Sequence, residues 1–109
     1  MLARLLLPRL SVLASLTLVP ARVDPSGKLV LVNAQWDRVR VEVRVGPSES
    51  CSQNESAGTR TLERDRRWTV VSDRVICWRR EQSPGDPSGG WTAWESARLA
   101  TDEVRNVTI

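Results

Sequence analysis

The chain has 109 residues, with 16 basic and 13 acidic side chains and a formal net charge of +3. It contains five tryptophans and two cysteines but no histidine, tyrosine or phenylalanine. Without histidine, a Ser-His-Asp triad, a Cys-His nucleophile and a histidine-ligated metal site are excluded. A glycine-rich phosphate loop followed by Lys-Ser or Lys-Thr is also missing from the sequence. A glycosidase-type pair of carboxylates stays open with 13 acidic residues, but no local pattern indicates one and a small domain gives little room for a deep cleft. We therefore expect a protein that is not an enzyme and that needs no metal or cofactor.

The first 21 residues have the pattern of a secretory signal peptide. Arg4 and Arg9 supply positive charge, residues 10–19 are an uncharged apolar run, and Ala21 ends a segment suited to signal peptidase. The apolar run is too short to span a bilayer, and no second one follows. The sequence predicts a signal peptide over 1–21 and a single exported domain over 22–109, secreted or periplasmic, with no transmembrane segment after cleavage.

The predicted mature domain is small and almost neutral. It has 88 residues, a size at which one hydrophobic core is only marginally sufficient. Because Arg4 and Arg9 belong to the signal peptide, the net charge of the rest is +1. A near-neutral surface of mixed sign argues against nucleic acid as a partner.

Short β-branched segments alternate with turn residues along the rest of the chain. The clearest segment is 38–45, where valines alternate with charged residues as in a half-buried strand. The other predicted strands are 28–34, 59–63, 67–71, 74–80, 91–97 and 104–109. This spacing predicts an all-β fold, a small antiparallel sandwich or barrel of about seven strands.

The connections between these segments are predicted from their turn residues. Residues 46–58 and 81–90 read as polar loops, and the two-residue gap at 72–73 has the length of a tight hairpin. Asp-Pro-Ser-Gly occurs twice, at 24–27 and 86–89, and we interpret both copies as turns rather than as calcium loops.

Cys51 and Cys77 are the only cysteines. In an oxidising compartment, an even pair in a small domain most simply forms one disulfide. The loop closed by this bridge would stabilise the domain by roughly 3–4 kcal/mol on the chain-entropy model. The alternatives, a redox pair or a metal site, fit neither the wide spacing nor the lack of histidine.

The five tryptophans divide into two groups by their neighbours in the sequence. Trp68 and Trp78 lie within predicted strands, and we expect both in the core. Trp36, Trp91 and Trp94 lie at strand ends or beside a glycine-rich loop, where they either pack or bind a sugar ring or a membrane interface. Because Trp91 and Trp94 are three residues apart, a regular strand would place them on opposite faces.

Arginines form a row on the polar face of segment 38–45. Arg38, Arg40 and Arg44 share this face, and Glu42 interrupts them. The row suits an anionic partner, although a solvated face of mixed charge is the simpler interpretation. The candidate ligand-binding residues are Trp36, Trp91, Trp94, Arg40 and Arg44.

Two Asn-x-Ser/Thr sequons, at Asn54 and Asn106, would be glycosylation candidates in a eukaryotic secreted protein. The heavy use of arginine over lysine is instead typical of a GC-rich bacterial genome, in which case both sequons are accidental.

Several motifs occur together between residues 33 and 94. They are an asparagine at the first strand, glycine then cysteine in a polar loop, Val-Ile-Cys-Trp-Arg-Arg at 75–80 and Trp-Thr-x-Trp at 91–94. In this combination the chain resembles small secreted bacterial β-sandwich proteins of uncharacterised function. The resemblance implies a sandwich held by a disulfide and implies no activity.

These observations predict a non-catalytic binding or interaction module at the cell envelope or outside the cell. The ligand is unknown; an envelope polysaccharide or a protein partner are the candidates. The alternative is a secreted inhibitor or effector that acts through a disulfide-held loop, 46–58 or 81–90. Replacing Trp91 or Trp94 should weaken a surface binder, whereas loop changes should weaken an inhibitor. A purely structural component would bind nothing saturably.

Overall fold

The computed structural model describes residues 26–109, which form two β-sheets facing each other across a common core. The predicted signal peptide and the start of the turn at 24–27 lie outside the described residues. The strands are β1 (Gly27–Val32), β2 (Arg38–Gly46), β3 (Glu55–Glu63), β4 (Arg67–Ser72), β5 (Val75–Arg80), β6 (Glu95–Arg98) and β7 (Val104–Thr108). Within 26–109, no helix is long and apolar enough to cross a membrane.

The strands are arranged in the order β4-β1-β7 in one sheet and β3-β2-β5-β6 in the other. The all-β class with about seven strands is therefore confirmed, and the architecture is an open sandwich rather than a barrel. Every pair is antiparallel except β1 and β7, which run parallel. The parallel pair is possible because β7 follows a strand of the opposite sheet, so that no tight hairpin fixes its direction.

The core forms where the alternating segments of both sheets face each other. Val39, Val41 and Val43 of β2 are fully buried, as the valine alternation of 38–45 predicts. Trp68 and Trp78 are 4% and 6% exposed, which confirms both as core residues. The main cluster is completed by Leu29, Leu31, Leu62, Val70, Ile76, Ala97 and Leu99.

The predicted hairpin between β4 and β5 is wrong. β4 pairs with β1 and β5 pairs with β2, so residues 72–74 carry the chain from one sheet to the other. Ser72 Oγ accepts a hydrogen bond from the Arg74 backbone N–H at 2.9 Å. Ser-Asp also lacks the positive-φ preference that makes Asn-Gly a tight hairpin turn.

The Cys51–Cys77 disulfide is present, with Cα atoms 5.9 Å apart. Cys77 lies opposite Arg44 in the β2–β5 register, on the sheet face that points away from the main core. With Val75 and the partly buried Trp94, the disulfide forms a second, smaller apolar cluster on that outer face.

The polar loop before β3 is shorter than predicted, since β3 begins at Glu55 rather than at 59. Asn54 closes the loop from a buried position. Its Nδ2 donates to the Ser48 carbonyl at 2.8 Å, and its Oδ1 accepts from the Ser48 N–H at 3.1 Å. A glycan on Asn54 is incompatible with this arrangement, whereas Asn106 in β7 is exposed.

Candidate functional site

The outer face of the four-stranded sheet carries an alternating array of arginine and tryptophan side chains. Side chains alternate between sheet faces, so burial of the β2 valines turns the charged residues of β2 outward. The β2–β5 register then places Glu42 directly opposite Arg79. We refer to Arg40, Arg44, Arg79, Trp91 and Trp94, with Glu42 and Glu81, as the Arg/Trp face.

Trp91 and Trp94 lie on the same face, so the prediction that they point in opposite directions is wrong. Regular pairing of β5 with β6 ends at Trp78 and Glu95, and the next bridge joins Glu81 to Trp91. From Trp78 to Glu81 the chain takes three residue steps, whereas from Trp91 to Glu95 it takes four. The segment before β6 therefore contains one extra residue, a β-bulge. The Arg79 guanidinium carbon lies 5.1 Å and 4.3 Å from the centroids of the two rings.

The two rings are interleaved with three guanidinium groups. Arg40 lies 5.1 Å from the Trp91 centroid, Arg44 lies 4.9 Å from the Trp94 centroid, and Arg79 contacts both rings. All of these distances are within the range of cation–π attraction. The rings of Trp91 and Trp94 are therefore stacked against arginine side chains and are not free surfaces on which a sugar ring could stack.

Glu42 lies beneath the arginines. Arg79 donates to Glu42 Oε1 from Nε at 2.9 Å and contacts it from Nη2 at 2.7 Å, while Arg44 Nε lies 3.7 Å from Oε2. The Glu42 side chain is 14% exposed, against 24% for Arg79 and 32% for Arg44. In these ion pairs the arginine side chains are therefore more exposed to solvent than the glutamate.

Glu81 repeats this arrangement at the other end of the face. It is almost completely buried, and its Oε1 accepts the Arg40 backbone N–H at 2.7 Å. Its Oε2 lies 3.3 Å from Arg40 Nε, a buried nitrogen without a well-directed hydrogen bond. Sequence reasoning missed Glu81; continuing the two-residue alternation of Cys77 and Arg79 would have placed it on the outer face.

Trp36 is not part of the Arg/Trp face. It lies in the turn between β1 and β2, where it packs against the main core and Arg80 lies 4.4 Å from its ring centroid. Buried Asn33 holds this turn, because its Oδ1 accepts the Trp36 N–H at 3.1 Å and its Nδ2 donates to the Trp36 and Leu62 carbonyls. Of the five candidate residues, four come together and Trp36 lies apart.

A groove separates the start of β2 from the 82–90 loop. One cavity of about 440 Å³ is lined by Trp36, Asp37, Arg38, Pro84 and Gly85. A second, of about 260 Å³, is lined by Arg38, Arg40, Thr61, Glu81, Gly85 and Pro87. The two share Arg38 and Gly85 and are therefore adjacent, and the second also includes Arg40 and Glu81 of the Arg/Trp face; we refer to both cavities together as the loop groove.

The 82–90 loop is held by its own hydrogen bonds. Asp86 Oδ1 accepts from the Ser88 N–H at 3.0 Å and from Ser88 Oγ at 2.6 Å, which confirms a turn at 86–89. These bonds to Ser88 lower the pKa of the Asp86 carboxyl. Gly85 and Gly90 have φ values of +94° and +80°, a region that L-residues seldom adopt.

Over residues 26–109, no three His, Cys, Asp or Glu side chains are placed to hold a metal ion together. Comparisons of the chain with protein-family models, curated proteins and solved structures found no match. The resemblance to small secreted bacterial proteins therefore stays a prediction, and the function has to be argued from the geometry of the site.

Proposed function

We propose that this protein is an exported, non-catalytic binding module, and that the Arg/Trp face is its ligand surface. The observation that carries the proposal is the layering of charge, with Arg40, Arg44 and Arg79 outermost and the carboxylates of Glu42 and Glu81 beneath them. A ligand approaching this face meets guanidinium groups first, which favours an anion.

The tryptophans fit this role because they restrict the arginines. A guanidinium group that is stacked on a ring and ion-paired from below loses less conformational freedom on binding than a free side chain. Its planar fork of N–H donors matches a carboxylate, sulfate or phosphate group. A disulfide in a small domain is compatible with an oxidising compartment, in agreement with the predicted signal peptide.

The second candidate function is inhibition or effector activity through the 82–90 loop. The observation that favours it is the rigidity conferred by the Asp86–Ser88 bonds and by the Gln82 N–H, which donates to the Gly90 carbonyl at 3.0 Å. A loop that is already ordered can enter a partner's cleft at a low entropic cost.

Binding to a panel of immobilised acidic and neutral polysaccharides, compared between variants, tests the proposal. We expect saturable binding that Arg79→Ala and Trp91→Ala weaken strongly and Asp86→Ala weakens little. Loss of binding in Asp86→Ala alone would favour the loop instead. No saturable binding to any polysaccharide or to cell-envelope fractions would contradict the proposal and favour a purely structural role. Circular dichroism of each variant controls for unfolding.

A further inference from the structure

The positive charge of the Arg/Trp face continues along β2. Arg38 is exposed and lies on the same side of the strand as Arg40 and Arg44. Position 42 of β2 is a glutamate, but Arg79 of the neighbouring strand β5 lies directly opposite it and places an arginine there. We refer to Arg38, Arg40, Arg44 and Arg79, which share this sheet face, as the Arg row; the strand spans about 20 Å from Arg38 to Arg44 at ~3.3 Å per residue.

A row of hydroxyl groups accompanies the Arg row on the adjacent edge strand. The β2–β3 register pairs Arg40 with Thr61, Glu42 with Thr59, and Arg44 with Ser56 across an irregularity in β3, whereas Arg38 lies opposite the carboxylate of Glu63. Paired residues share a sheet face, and all three hydroxyl residues are exposed. Cations and hydroxyls thus run side by side, and we refer to Ser56, Thr59 and Thr61 as the hydroxyl row.

At the Arg38 end, the Arg row enters the loop groove. Thr61 of the hydroxyl row lines the cavity of about 260 Å³ there, together with Arg38 and Arg40. The binding surface is therefore elongated and open along β2, rather than a closed pocket for a single small molecule. An extended ligand can contact it over its full length.

This inference rests on the proposed function and concerns its ligand. We propose that the ligand is a linear, carboxylate-bearing polysaccharide that lies along β2, with its carboxylates on the Arg row and its hydroxyls beside the hydroxyl row. Planar carboxylates fit the guanidinium fork, and sugar hydroxyls both donate to and accept from serine and threonine. A densely charged nucleic acid fits less well, because the sequence after residue 21 carries a net charge of only +1.

Calorimetric titration with polygalacturonate and with its methyl ester tests the carboxylate requirement, because esterification removes the charge and keeps the chain. We expect the acid form to bind and the ester to bind at least about tenfold more weakly, as loss of charge-assisted hydrogen bonds dictates. Arg38→Ala and Arg44→Ala, at opposite ends of the row, should each weaken binding of the polymer. Arg105→Ala, which removes an exposed arginine of β7 on the other sheet, is the matched control and should not.

Oligogalacturonates of increasing length test the linear path. We expect affinity to rise with length, and the longest oligomers to be sensitive to both Arg38→Ala and Arg44→Ala. If a monomer binds as tightly as a hexamer, the ligand does not lie along β2. Thr59→Val and Thr61→Val, which keep the branched shape, should weaken binding of the acid form if the hydroxyl row contributes.

The outcomes separate this inference from the proposed function. If the ester binds as well as the acid and Arg79→Ala weakens both, the face binds glycans but the carboxylate assignment is wrong. If dextran sulfate, polyglutamate or a single-stranded oligonucleotide binds more tightly than polygalacturonate, the assignment of a carboxylate-bearing polysaccharide is wrong. If the acid polymer binds equally well to wild type and Arg79→Ala, the Arg/Trp face is not the ligand surface and both proposals fail.

Discussion

Removal of the Glu81 carboxylate should destabilise the fold as well as release Arg40. The carboxylate is almost completely buried and accepts the Arg40 backbone N–H at 2.7 Å. In Glu81→Ala this N–H loses its partner, and the Arg40 guanidinium loses its ion pair of 3.3 Å but keeps its contact with the Trp91 ring. Glu81→Gln keeps an acceptor for the N–H and loses only the charge.

The cost follows from the two contacts. A hydrogen bond to a charged group stabilises the folded state by about 1.5–3 kcal/mol. Much of the cost of removing the carboxylate comes from the buried N–H donor that is left without a partner. The ion pair adds less than about 1 kcal/mol, since the Arg40 side chain is 36% exposed and therefore screened by solvent. We expect Glu81→Ala to lower the free energy of unfolding by about 2–4 kcal/mol and Glu81→Gln by about 1 kcal/mol.

Urea unfolding of the oxidised domain, followed by tryptophan fluorescence, measures these differences. Asp37→Asn is the control, because it removes the Asp37–Arg64 ion pair of 2.7 Å at the surface, and we expect no measurable change. If Glu81→Ala unfolds at the wild-type urea concentration, or if Asp37→Asn is equally destabilising, the buried carboxylate does not have the role assigned to it.

Three further predictions concern the disulfide, the ring stacking and the loop carboxyl. Replacing Cys51 and Cys77 by serine should cost about 3–4 kcal/mol of unfolding free energy, on the chain-entropy model for a separation of 26 residues; an unchanged urea midpoint would contradict it. Arg79→Ala should increase acrylamide quenching of the tryptophan fluorescence, because Arg79 contacts two rings; unchanged quenching would show that the rings are shielded otherwise. Ser88→Ala should raise the pKa of Asp86 towards its ordinary value in an NMR titration. Because folding lowers the pKa of Asp86, its ionised carboxylate stabilises the folded protein at pH values above the ordinary pKa. This stabilisation is lost as the pH falls through the pKa of the folded state, and Ser88→Ala should make the loss smaller.

The sequence predicts those parts of the fold that depend on local alternation and turn chemistry. The valines of 38–45 define the buried face of β2, and Asp86 and its neighbours define the turn at 86–89. The Cys51–Cys77 bridge follows from the cysteine count and the predicted export. Each of these features is determined by few residues, and for that reason a single sequence is sufficient to predict it.

Strand pairing and the assembly of the site depend on contacts between distant residues. A two-residue gap at 72–73 has the same length whether β4 and β5 pair or belong to different sheets, so local turn chemistry cannot distinguish the two. The bulge before β6 places Trp91 and Trp94 on one face, although their spacing predicts opposite faces. Glu81 acquires its role only when the pairing of β5 brings it beside Arg40.

The most direct test of the Arg/Trp face as the ligand surface is an NMR titration of the ¹⁵N-labelled protein with polygalacturonate. The side-chain Nε–H resonances of arginine and the indole N–H resonances of tryptophan would be followed. We expect the resonances of Arg40, Arg79 and Trp91 to shift in a saturable way, and that of Arg105 on the other sheet to stay unchanged. Shifts centred on Arg105, or no saturable shifts on the Arg/Trp face, would contradict it.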